Sequence, residues 1–108
     1  TLASKEMFIA KHYLKKEKWI PAINRLKFIL KEYETTVYVE EALHRLVEIN
    51  YKIGLIDESK KYANLLGYNY SSSKWYEQSY RIFNKDYDDP YTKIKKNSRL
   101  EKLKSILD

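Results

Sequence analysis

Ala10-Lys11-His12-Tyr13-Leu14-Lys15-Lys16-Glu17-Lys18-Trp19-Ile20-Pro21-Ala22 carries the first decision about this chain. Ile9, Ala10, Tyr13 and Leu14 share one helical face by their three- and four-residue spacing. Lys15 to Lys18 is wholly charged and suits a tight, solvated turn. Trp19 closes over that turn, and Pro21 fits a first helical position, where the missing N–H is not needed. Ala22 is small where two helices would cross, and Leu26, Ile29 and Leu30 continue its stripe. The stretch therefore predicts a helix, a turn and an antiparallel helix.

The same grammar returns 37 residues later. That shift lays Ala10 on Val47, Leu14 on Tyr51, Trp19 on Ile56, Ala22 on Ser59, Leu26 on Ala63 and Ile29 on Leu66. Gly54-Leu55-Ile56-Asp57-Glu58-Ser59 resembles the Gly-x-x-x-Glu-Ala turn of tetratricopeptide repeats, with Ser in place of Ala. About three residues beyond that repeat's usual period fall in the loop Glu34-Thr35-Thr36. The predicted fold is all-α: a solenoid of tetratricopeptide-type helical hairpins with a C-terminal capping helix.

The rest of the chain fills in this plan. Helices are predicted from Leu2 to Lys16, from Pro21 to Tyr33, from an N-cap at Thr36 to Ile53, and from Ile56 to about Leu66. Gly54 is a natural helix stop. Ser72 or Ser73 caps a fifth helix, Lys74 to about Asn84, whose apolar face is Trp75 or Tyr76, Tyr80 and Phe83, with Ser79 a small gap in the stripe. Asp89-Pro90 opens a basic tail with Leu100, Leu103 and Leu107 on one face and six cations against one acid between Lys93 and Lys104. The expected units are 1–36 and 37–72 as two repeat hairpins, 73–89 as a cap or the start of a third, and 90–108 as the tail. The tail is expected to order only on the preceding hairpin or a neighbouring subunit, leaving its basic face to anionic headgroups or an acidic partner.

Composition narrows the function classes. With 108 residues there is room for one modest core, and two Gly and two Pro argue against an all-β fold. Without Cys there is no disulfide, thiolate nucleophile or thiolate metal site. No apolar run approaches a membrane span, and no signal peptide is visible. The chain opens without Met inside a helical pattern, as a piece of a longer protein would. The net charge of +6 rests mostly on Lys and reads first as a solvated surface, second as attraction to an acidic partner, nucleic acid or anionic membrane.

Catalytic chemistry finds little footing. His12 and His44 lie on different hairpins, neither has a His four residues away, and no Ser-His-Asp arrangement emerges from motif. Both read as surface or groove histidines. Glu40-Glu41 and Asp57-Glu58 open helices, where carboxylates suit the dipole. Asp86, Asp88 and Asp89 lack the Gly and bidentate Glu of a calcium loop. The expectation is no enzyme, no metal and no cofactor. Of the eleven tyrosines, Tyr13, Tyr33, Tyr62 and Tyr80 fit inter-helix packing, and Tyr51, Tyr68 and Tyr70 fit it less plainly. The first helices of the hairpins line a concave face, which collects Met7, Lys11, Leu14 and Lys15 with His44, Glu48, Tyr51 and Lys52. Such a basic and aromatic groove suits an extended peptide or a carboxyl terminus. It would also suit single-stranded nucleic acid, although no RNA-binding signature appears.

One family carries these residues together. Tyr13-Leu14, Trp19, Ala22, Asn24-Arg25 and Tyr33, then Val39 to Leu43, Val47-Glu48 and Gly54-Leu55, resemble the C-terminal half of the BamD family, lipoproteins of the machinery that assembles outer-membrane β-barrels. Asn69-Tyr70-Ser71, Ser73 and Trp75-Tyr76 resemble the segment that ends the family's repeat array, with Ser71 replacing a Pro. The likeness runs from about Phe8 to Tyr80; the loop Pro is missing twice, the lipid-bearing Cys is absent with the N-terminal half, and the tail after Tyr87 matches nothing. The resemblance implies a scaffold on the periplasmic face of the outer membrane of a Gram-negative bacterium, anchored by an upstream lipid. It implies docking on the periplasmic domain of the barrel-forming subunit, with accessory lipoproteins as further partners and no nucleic acid. Arg25, beside Asn24, aligns with a family Arg at that docking surface. Lys11, Lys15, His44, Glu48 and Tyr51 of the concave face complete the expected partner-binding set. The alternatives are a generic tetratricopeptide adaptor for peptides and, behind it, a basic nucleic-acid-binding helical domain.

Overall fold

The computed structural model describes residues 1–84, so the tail helix expected over 91–108 lies outside the described residues. These residues form five helices: α1 (Leu2–Lys15), α2 (Trp19–Glu32), α3 (Tyr38–Lys52), α4 (Ile56–Asn69) and α5 (Lys74–Phe83). There is no strand among them. They stack as the antiparallel hairpins α1/α2 and α3/α4, with α5 laid on α3 and α4. This is a tetratricopeptide-like helical repeat.

The repeat is visible in single hydrogen bonds. After α1, the Glu17 N–H donates to Leu14 O at 3.0 Å and the Lys18 N–H to Tyr13 O at 3.0 Å. After α3, the Gly54 N–H donates to Tyr51 O at 3.2 Å and the Leu55 N–H to Asn50 O at 2.8 Å. Both pairs form a Schellman turn, which needs a left-handed residue just past the helix. Gly54 supplies it at φ 91° and Glu17 at φ 56°, 37 positions earlier. The loops leaving α2 and α4 match in the same way: Thr36 N–H to Tyr33 O and Ser73 N–H to Tyr70 O are both 3.0 Å.

Helix starts differ from the sequence reading in two places. α2 begins at Trp19, so Pro21 is its third residue; its absent N–H still costs nothing, because first-turn N–H groups have no partner within the helix. Thr36 does not cap α3. Its hydroxyl donates backward to Tyr33 O at 2.7 Å, and α3 starts after Val37 with no side-chain cap. At the equivalent place Ser73 does cap α5, accepting from the Trp75 N–H at 3.1 Å.

Ala22 and Ser59, the two expected crossing residues, are fully buried. Ser59 also donates to Val47 O at 2.7 Å, tying α4 to α3 and satisfying its buried hydroxyl. Around them Ala10, Leu26, Ile29, Ala42, Leu46 and Leu66 are sealed from solvent. Burial of each leucine contributes about 1.5–3 kcal/mol. α3 is the central element: it touches each of the other four helices and is buried nearly all round. Tyr62 joins the core and Tyr13 and Tyr33 border it as expected, but Tyr80 is 38% exposed and Ile82 packs inward instead. The reason lies in phase: Ser79 is the fully buried position of α5, and Ile82 and Phe83 follow it at three and four residues.

Candidate functional site

A groove of about 230 Å3 opens between the hairpins, lined by Leu14, Lys15, Trp19, Arg45, Glu48, Ile49 and Lys52. Leu14, Ile49 and the Trp19 ring form an apolar floor. The Lys52 ammonium sits 5.6 Å from the centre of the Trp19 ring, a cation–π distance. Lys15, Arg45 and Lys52 outnumber Glu48, so the rim favours an anionic or hydrogen-bond-accepting ligand. Arg45 is the most constrained of the three cations. Its Nη1 donates to Glu48 at 3.0 Å, its guanidinium lies 5.5 Å from the Trp75 ring centre, and its buried Nε has no hydrogen-bond partner.

The residues expected to bind partners separate into three situations. Lys15 and Glu48 line the groove, as expected for a concave face. Asn24 is exposed on α2 beside Arg25, which donates from Nη1 to Glu6 of α1 at 2.8 Å. That hydrogen bond, followed by the Glu6 charge, holds the Arg25 pKa above its ordinary value. Lys11 pairs with the nearly buried Glu41 at 2.8 Å, so it braces α1 against α3. Glu41 is thus an inter-helix ligand as well as a first-turn acid. Tyr51 stays half-exposed, its ring edge-on to Phe83 of α5.

His44 departs from expectation. It is not a groove surface residue: α5 covers it. Its Nδ1 is 2.7 Å from the Ser79 hydroxyl and its Nε2 is 3.0 Å from the Glu48 carboxylate, with the Trp75 ring 5.3 Å away. With Nε2–H donating to Glu48, Nδ1 is the acceptor and Ser79 the donor. The hydrogen bond from His44 is the main cause of a lowered Glu48 pKa, ahead of Arg45. This Ser–His–Glu chain has the connectivity of a nucleophilic triad, with the two ring nitrogens exchanged relative to the serine-protease arrangement. It does not have the access: Ser79 is wholly buried, so no substrate carbonyl reaches its oxygen. The chain is a polar strut that fixes α5 to α3. Two signals for it stood in the sequence, the small Ser79 inside an apolar stripe and Glu48 four residues after His44, but nothing local links positions 35 apart. Met7, also read onto the concave face, is core.

Comparison with known proteins decides the family. The profile of the YfiO family, described as "Outer membrane lipoprotein", matches residues 1–66. The chain belongs to this family. The outer membrane protein assembly factor BamD of Rickettsia prowazekii is 52% identical over 81 residues, covering 75% of this chain and 32% of that protein. BamD of Caulobacter vibrioides is 43% identical over 83 residues, covering 77% of this chain and 27% of its own length. The chain therefore spans about a third or less of these YfiO-family relatives. Membership puts it at the periplasmic face of the outer membrane of a Gram-negative bacterium. No solved structure matches it. Among the described residues, no helix is long and apolar enough to cross a membrane.

Proposed function

We propose that this chain is a docking segment of an outer-membrane protein assembly factor, acting by binding and not by turnover. The observation that carries this reading is the 52% identity to a protein of that name, over 81 residues of this chain. In this reading the partner is the periplasmic domain of the barrel-forming subunit, with accessory lipoproteins beside it. Arg25 and Asn24 form the principal contact. The bond to Glu6 runs through Nη1, and the side chain is partly exposed; a guanidinium offers a planar fork of further donors suited to a carboxylate. Lys15 and Glu48 contribute through the groove, Tyr51 at its margin, and Lys11 and His44 by holding α1 and α5 in place.

Capture of the purified periplasmic domain by this chain tests the reading. Arg25→Glu is expected to abolish capture while thermal unfolding stays cooperative. Glu6→Gln, which frees Arg25 without removing it, is expected to keep capture. Equal capture by wild type and Arg25→Glu would remove Arg25 from the interface, and absence of capture by wild type would overturn the docking reading.

A further inference from the structure

α1 and α5 do not pack on each other, yet a continuous run of polar side chains joins them across α3. It starts at Lys11 of α1, whose Nζ lies 2.8 Å from Oε1 of Glu41. Nη2 of Arg45 approaches the same oxygen at only 3.5 Å, the outer limit of a hydrogen bond. Nη1 of Arg45 donates to Oε1 of Glu48 at 3.0 Å, and Nε2 of His44 meets that same oxygen at 3.0 Å. Nδ1 of His44 then reaches the Ser79 hydroxyl of α5 at 2.7 Å. The Arg45 guanidinium bears on α5 a second time, 5.5 Å from the centre of the Trp75 ring.

Two features make Arg45 the movable member of this run. Lys11 and Arg45 compete for one oxygen of Glu41, and Lys11 holds it at the shorter distance. The buried Nε of Arg45 has no partner, so its desolvation is uncompensated where the guanidinium now lies. Glu41 supplies the pull. Its side chain is only 10% exposed, and a carboxylate so placed needs a cation. Lys11 is 47% exposed and free to leave; Arg45 is then the cation within reach. A guanidinium closing on Glu41 would turn Nε and Nη2 to its carboxylate as a fork. It would give up Glu48 and shift over Trp75, the two contacts through which it acts on α5.

We infer that Arg45 is a two-position relay, by which the Lys11–Glu41 ion pair at the first hairpin sets how firmly α5 is seated. With Lys11 on Glu41, Arg45 holds Glu48 under His44 and braces Trp75. With Lys11 withdrawn, Arg45 moves to Glu41, Glu48 is left to His44 and solvent, and α5 loosens. An anionic partner that drew the Lys11 ammonium to itself would act on α5 without touching it. Coupling of this kind needs an element with two arrangements that both ends bias, and Arg45 is that element.

Amide hydrogen exchange of the full 108-residue chain at one fixed pH reads the seating of α5 through Ser79 to Phe83. Lys11→Met removes the charge and keeps the stem. It is expected to lower protection of these amides, relative to those of α4, by roughly threefold or more. Lys11→Arg, which keeps a cation on Glu41, is expected to preserve it. In an Arg45→Met background the same Lys11→Met change is expected to have no further effect on α5. Should Arg45→Met fail to fold, Arg45→Gln supplies the background. Two results would overturn the inference: unchanged α5 protection in Lys11→Met, or an equal loss with and without Arg45, which routes the effect through the packing of α3.

Discussion

Glu17 and Gly54 do the same conformational work with unequal means. Each sits at positive φ in a Schellman turn, but only glycine does so without a Cβ penalty. Glu17→Gly is therefore expected to stabilise the chain by about 0.5–1 kcal/mol, the relief of strain exceeding the added freedom of the unfolded chain. A urea titration read at 222 nm measures it. Gly54→Ala is the mirror experiment and should destabilise, although no atom lies near its missing Cβ, because the backbone alone is at fault. Glu48 yields a pH prediction. Its folded pKa is depressed, chiefly by the His44 hydrogen bond, so its contribution is present above the unfolded carboxylate value of about 4.3 and is lost as pH falls through the lower folded value. The side chain is about a third exposed, which limits the effect to about 1 kcal/mol or less. Unfolding free energies of wild type and Glu48→Gln should differ at pH 7, and the difference should shrink as pH falls from about 4.3 through the lower folded value.

At the scale of the element, α5 is held by fitted contacts as well as by Trp75, Tyr76, Ile82 and Phe83 packing on the core. The clearest is Gly67 of α4, where an added Cβ would lie 2.5 Å from Cε1 of Tyr76. Alanine is the better helix former by about 1 kcal/mol, yet here the overlap should win, and Gly67→Ala is expected to destabilise by about 1 kcal/mol. In a Tyr76→Leu background the sign should reverse, and a double-mutant cycle by chemical denaturation reads both. Sequence reasoning reached the helices because their signals are local. The stripe spacing, Gly54 and Ser73 each act within a turn or two. It placed a cap at Thr36 that does not form, because the loop path turns the hydroxyl back to donate to Tyr33 O and α3 starts one residue later, after Val37, out of reach of that oxygen as an N-cap acceptor. It misjudged Tyr80 because a ten-residue helix offers two overlapping stripes, and burial of Ser79 against His44 chooses between them.

Across the whole molecule, the repeat was legible because it is written twice at one spacing, whereas the candidate site was legible only in part. Lys15 and Glu48 reach the groove by helix phase alone, but the covering of His44 and the tethering of Lys11 arise from contacts between helices. The matched turns have one more consequence. Since Glu17 and Gly54 occupy the same kind of turn and Lys18 and Leu55 both open a helix, the segment 18–54 is a removable cassette with interchangeable ends. A gene carrying it twice joins Gly54 to Lys18 across a junction that both turns already accept. Such a tandem duplicate is expected to fold as a longer rod in which each neighbour interface adds to stability, with a steeper urea dependence than the parent. Small-angle scattering would read the lengthening directly. This arithmetic of interchangeable joints would let lineages gain or lose a unit without redesigning the rest.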